Sequence, residues 1–183
     1  MSERMDYSPG PANLARVQKE GEKWALVLVK ELSHSREKVW QALTDPEQLR
    51  EWAPFEVDGN IATSGTVQLT WLGTAKTIET KVTRADARKM LEYGDIRWEL
   101  EDLGGGTRLT LWTKIDRRFV SMGAAGWHIA FDVLDHLLRG TPIGRIAGGE
   151  AMKFAGWQRL NAEYAKQFGV EMPSWPAKPA QDS

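Results

Sequence analysis

Residues Phe119–Gly140 read FVSMGAAGWHIAFDVLDHLLRG, and this stretch decides the fold. Apolar side chains recur at Trp127, Ala130, Phe131, Leu134, Leu137 and Leu138, the spacing of one helix face. Ile129 and Val133 widen that face. His128, Asp132, Asp135 and Arg139 leave only a narrow polar stripe, which reads as solvated, with Asp135 paired to Arg139. Gly140 before Thr141-Pro142 ends the helix, because glycine accepts a left-handed cap and proline cannot extend the ladder. A helix this apolar must be covered around most of its circumference.

The cover lies upstream. Between Phe55 and Asp116 the apolar period changes to two. Val67, Leu69 and Trp71 alternate with polar residues, as do Ile78, Thr80 and Val82, then Ile96, Trp98 and Leu100, then Leu109, Leu111 and Ile115. This alternation with short turns predicts an antiparallel meander with one wet face. Trp112 falls on the outward parity and is expected to meet another part of the chain or a partner subunit. Gly104-Gly105-Gly106 reads as a hairpin turn, since it lacks the Lys-Ser/Thr and following helix of a phosphate loop. Trp24–Leu32 reads as a first strand. Ser35 and then Asp45-Pro46 open two short helices, the first burying Val39, Trp40 and Leu43, the second Leu49 and Trp52. After the long helix, a glycine-rich loop leads to a last helix, about Glu150–Phe168, burying Phe154, Trp157, Leu160, Asn161, Tyr164 and Phe168. The expected organisation is a flexible tail over 1–22, a domain over 23–140, and an extension over 141–183 with its helix packed on that domain and an extended end.

Composition narrows the function. The 183 residues suit one domain, and 24 basic against 25 acidic side chains give a net charge of −1. With no basic run, neither nucleic acid nor an anionic membrane is an expected partner. Cysteine is absent, which excludes disulfides, thiol catalysis and thiolate-bound zinc. No leader or spanning run is evident, so a soluble, cytoplasmic protein is expected. His128, Asp132 and His136 fall at i, i+4, i+8, but no further ligand is near in sequence. No metal and no cofactor is expected. Nine tryptophans are many for this length, and such rings fill cores or line ligand cavities.

The element order implies an α+β helix-grip fold: a curved antiparallel sheet wrapped around the long C-terminal helix, two short helices after the first strand, and an extra C-terminal helix. Three motifs in register carry a resemblance. Ser35–Trp52 (SREKVWQALTDPEQLREW), Leu100–Leu111 (LEDLGGGTRLTL) and Gly126-Trp127 resemble the AHSA1-like (activator of Hsp90 ATPase homologue 1-like) branch of the SRPBCC/START/Bet v1-like superfamily. The resemblance spans about residues 24–140 and implies a deep, mostly apolar cavity between sheet and helix. Members bind lipids, polyketides or other hydrophobic molecules, and a few are cyclases or hydrolases.

The residues brought to that cavity are Trp52, Trp71, Tyr93, Trp98, Leu111, Trp127, His128 and Phe131. Trp71 and Trp98 have inward parity, and the Tyr93 hydroxyl is placed to anchor a polar ligand end. His128 either points into the cavity or sits at the helix edge. Binding of a small hydrophobic molecule is the first expectation. A cyclase or hydrolase using His128, Tyr93, Glu92 or Asp132 is the second, since these are the titratable groups available for proton transfer. No Gly-x-Ser-x-Gly elbow is present, and Ser121 lies seven residues from His128, a poor spacing on a helix. An Hsp90-type co-chaperone comes third, from the family name. A homodimer is compatible with the sequence.

Overall fold

The computed structural model describes residues 7–171 except Glu22 and Ala75. Eight strands form one antiparallel sheet: β1 (Ala15–Glu20), β2 (Lys23–Leu32), β3 (Phe55–Val57), β4 (Thr66–Trp71), β5 (Thr77–Asp86), β6 (Met90–Tyr93), β7 (Ile96–Asp102) and β8 (Thr107–Asp116). Their order across the sheet is β1-β2-β8-β7-β6-β5-β4-β3. The meander thus runs backward from β8 to β3, and β8 returns to pair with β2. The inner parity is apolar: Ile96, Trp98 and Leu100 on β7 and Leu109 and Leu111 on β8 are buried.

β5 makes the sheet curl. Its first half pairs with β4 and its second half with β6, and the register slips between Val82 and Arg84. Such a bulge adds local twist and bends the strand. Two caps fix the helices that follow β2. Ser35 Oγ accepts from Lys38 N at 3.2 Å and opens α1 (Arg36–Thr44), and Asp45 Oδ1 accepts from Glu47 N at 3.0 Å to open α2 (Pro46–Leu49). A single turn, α3 (Ile61–Ser64), precedes β4. It has no counterpart in the periodicity, because four residues carry too few apolar positions to show one.

The opening stretch is α4 (Val120–Leu138), lying in the curve of the sheet. Trp127, Ala130, Phe131 and Leu134 are buried on it. Aromatic rings fill the space behind them. Trp98 stacks on Phe131 at 5.9 Å and meets Trp52 and Trp127 edge-on at 5.9 and 5.7 Å. This is a helix-grip fold of the Bet v1/START type.

The ends of the chain differ from the sequence expectation. The tail expected over 1–22 is ordered from Tyr7 onward within the described residues: Ala15–Glu20 is the edge strand β1, paired with β2. Its residues lack a clean alternation because an edge strand with one covered face needs few apolar side chains. The expected last helix is two helices, α5 (Gly148–Ala151) and α6 (Ala155–Phe168), the chain turning at Met152–Phe154. That turn lets Trp157, Leu160 and Tyr164 bury themselves against α4 and the N-terminal segment. Gly169 caps α6 in the left-handed region, as its sequence position predicts. The extended end expected beyond Met172 lies outside the described residues, as do residues 1–6. Trp112 does face outward, with Arg97 over its ring at 5.1 Å and its Nε1–H directed to Gln18 Oε1 of β1 at 3.4 Å.

Candidate functional site

A pocket of about 580 Å³ opens between the curved sheet and the N-terminal half of α4. Inward-facing residues of the meander form one wall: Leu69 and Trp71 of β4, Ile78 and Thr80 of β5, Tyr93 of β6, Ile96 of β7, and Thr113 and Ile115 of β8. Gly123, Gly126 and Trp127 of α4 form the other. Ile78 is 47% exposed although its parity points inward, so the space beside it is unfilled.

Gly126 leaves part of that space open, whereas Gly123 makes room for Ile115. A methyl group on Gly126 would meet no heavy atom within 4 Å, whereas one on Gly123 would approach Ile115 Cδ1 to 2.5 Å. Glycine in a helix interior costs about 1 kcal/mol relative to alanine. At Gly126 the bare backbone widens the pocket and serves no packing contact.

The pocket is apolar at its floor and polar at its mouth. Lys76, Asp95 and Lys114 lie on its border and are exposed. Tyr93 is fully buried, and burial holds its phenol well above the ordinary value, so it stays protonated. Its oxygen accepts from Trp98 Nε1 at 2.9 Å.

Of the eight residues brought to the cavity from sequence, Trp71, Tyr93 and Trp127 line this pocket. Trp52, Trp98, Leu111 and Phe131 do not; they are core residues with 0% exposure. The indole N–H of Trp52 is spent on Ala42 O at 2.9 Å. Inward parity identified side chains under the helix, but not which of them pack on each other. Sequence reasoning missed Leu69, Thr80, Ile96, Thr113, Gly123 and Gly126 as lining residues. Two signals were present: glycines inside a strongly helical pattern, and threonines on the apolar parity of β5 and β8.

His128 is elsewhere. Rather than entering the cavity or edging into solvent, it is buried at 2% exposure beneath α6 and the N-terminal segment. Tyr164 OH lies 2.7 Å from His128 Nδ1 and accepts from Leu14 N at 3.1 Å. The Tyr164 hydroxyl, with one proton to give and two lone pairs, thus bridges the Leu14 amide and the His128 ring. Nε2 stands 3.7 Å from Asp132 Oδ2. Asp132 also accepts from Tyr7 OH at 2.5 Å and Lys30 Nζ at 2.7 Å. The His128–Asp132 end of the stripe expected to be solvated is therefore a covered polar cluster, while Arg139 at its far end is exposed. Desolvation lowers the His128 pKa, ahead of the opposing pull of Asp132. His136 is half-buried and directed to Thr141, away from the other two members of the i, i+4, i+8 set. Asp135 does pair with Arg139.

The profile of a family described as activator of Hsp90 ATPase homolog 1-like protein matches residues 33–139. No curated protein matches the chain. Among solved structures, a conserved protein of unknown function, EF2215 from Enterococcus faecalis, superposes with a TM-score of 0.63 at 15% identity, over 92% of this chain and 93% of its own. CalU16 from Micromonospora echinospora gives 0.59 at 18% identity, over 85% of this chain and 92% of its own. DynU16, of the dynemicin biosynthetic locus, gives 0.55 at 19% identity, over 67% of this chain and 50% of its own. At these identities the likeness is one of fold.

Proposed function

Because the chain belongs to the activator of Hsp90 ATPase homolog 1-like family, whose fold encloses a space between sheet and helix, we propose that its pocket binds a small, mostly apolar molecule. One observation carries the reading: the bare backbone of Gly126 faces open volume in a pocket of about 580 Å³, a size that suits a drug-sized ligand. A core built only for stability would fill that volume, since interiors are packed to crystal-like density.

Acid–base turnover has less support. Of the groups named for it, His128 and Asp132 sit under α6, and Glu92 is not among the lining residues. Only Tyr93 lines the pocket, and a phenol held protonated is a donor, not a base. The co-chaperone reading has the family name behind it and no feature of this site.

The test is binding of the neutral fluorophore N-phenyl-1-naphthylamine, which brightens in apolar surroundings, to the wild type and to Gly126→Leu. The proposal expects micromolar binding by the wild type and at least a tenfold loss in the variant, with circular dichroism unchanged. Equal binding by both proteins would refute it.

A further inference from the structure

The sheet has an opening beside the pocket. β5 pairs with β4 from Thr77 to Lys81 but with β6 only from Val82 onward. β7 meets β8 no further than Ile96 and Thr113, so Ile115 and Asp116 have only β2 beside them. β6 and β7 thus stop short, and a gap is left between the first half of β5 and the end of β8. The Gly94-Asp95 turn forms its base: Gly94 N donates to Lys81 O at 3.4 Å and Lys114 N to Asp95 O at 3.1 Å. Ile78 on one bank and Ile115 on the other both line the pocket, so the gap leads into it.

The rim of the gap is wet. Val82 N donates to Gly65 O and Trp71 N to Lys76 O, so the even-numbered residues along this edge bond to β4. The backbone N–H and C=O groups of Thr77 and Glu79 therefore turn toward the gap, where no strand meets them and water does. One cation starts from the inner side of that rim. Lys76 is opposite the inward Trp71 and so shares its face, about 7 Å along the strand from Ile78. It is exposed, and among the described residues no ion pair engages its ammonium. Lys114 is turned elsewhere, its Nζ 5.9 Å from the outward Trp112 ring. A lone lysine matches one negative charge, and Asp95 at the base disfavours a second.

Resting on the pocket reading above, we infer that the ligand is an amphiphilic monocarboxylate whose apolar part passes between β5 and β8 into the pocket, while its carboxylate stays in the wet gap beside Lys76. The apolar part covers Ile78 on the way in. The carboxylate keeps its water there, which spares it the cost of burial at the apolar floor.

Decanoate and 1-decanol, alike in chain and different in charge, test the head group by calorimetric titration into the wild type, Lys76→Gln and Gly126→Leu. The ratio of decanoate to decanol affinity is expected to fall about threefold in Lys76→Gln, the scale of a solvent-exposed ion pair. Taking the ratio within one protein cancels general loss of packing. Sodium chloride at about 1 M should lower the wild-type ratio likewise and leave that of Lys76→Gln unmoved. The path is tested by blocking it. The chain has no cysteine, so Ile78→Cys and Leu103→Cys each take up one poly(ethylene glycol) maleimide. Leu103 is also exposed but lies in the turn between β7 and β8, at the far end of both strands. Labelling is expected to slow decanoate association about tenfold in Ile78→Cys and not in Leu103→Cys. An unchanged affinity ratio in Lys76→Gln or in salt, or equal association by the two labelled proteins, would overturn the inference, and the pocket reading stands in each case if Gly126→Leu loses both ligands. Binding of N-phenyl-1-naphthylamine without decanoate would likewise overturn the inference alone. Failure of the wild type to bind any of the three molecules would overturn the two together.

Discussion

Gly126 and His128 are two residues apart and serve opposite faces of one helix. Gly126 faces the pocket, and alanine there adds a methyl group into open space while removing the entropic cost of glycine. Gly126→Ala is therefore expected to raise stability by about 0.5–1 kcal/mol in urea unfolding. His128 faces Asp132, Lys30, Tyr7 and Tyr164, with Arg159 and Glu163 further out. Its pKa is lower in the fold than the ordinary 6.5. Between those two values the unfolded chain binds more protons, so its contribution to stability is whole above 6.5 and is lost as the pH falls below. The urea midpoint should drop more steeply on acidification to pH 5 in the wild type than in His128→Gln, and parallel pH profiles would contradict this account. Burial also raises the pKa of the Tyr164 phenol to about 12, so it remains a donor throughout that range.

At the scale of elements, α6 and the segment before β1 hold each other. Arg159 of α6 donates to the carbonyls of Pro9 and Gly10, Gln167 donates to Ala12 O at 2.5 Å, and Leu14 N donates to Tyr164. Tyr164→Phe strips partners from Leu14 N–H and His128 Nδ1 in a buried setting. It is expected to cost about 1–3 kcal/mol and to speed amide exchange along β1 before it does so in β7. Equal acceleration in both strands would show that β1 does not depend on α6. These contacts explain what was hidden in the sequence. The meander, the two capped helices and α4 announce themselves because each alternates or repeats over many residues. β1 does not, since its stability comes from pairing with β2 and from side chains about 150 residues further along the chain. The pocket was legible in part for a related reason. Parity says which side chains face inward; which of them then touch, as Trp98 touches Phe131, depends on the curvature added at the β5 bulge.

For the molecule as a whole, one apolar cluster runs from Ala12 through the sheet and α4 to Phe168. The segment before β1, the central region and α6 share it, so they should unfold together. Far-ultraviolet circular dichroism and tryptophan fluorescence are expected to report one coincident transition in urea. An earlier transition in the far-ultraviolet signal would mean that α6 and β1 part from the rest first. Among the described residues no helix is long and apolar enough to cross a membrane.

The first glycine of α5 has a consequence for modularity. A side chain on Gly148 would come within 3.2 Å of the Gly73 nitrogen and 3.3 Å of the Leu72 carbonyl carbon, in the turn that carries Thr74 and Lys76 to the pocket border. Arg145 pairs with Glu56 of β3 close by, at 3.1 Å. Both anchors lie beyond residue 139, where the family match stops. A chimera that kept residues 33–139 and took its C-terminal region from a relative would inherit the chamber but acquire a differently shaped doorway. Ligand choice in such hybrids should follow the donor of the tail as well as the donor of the barrel.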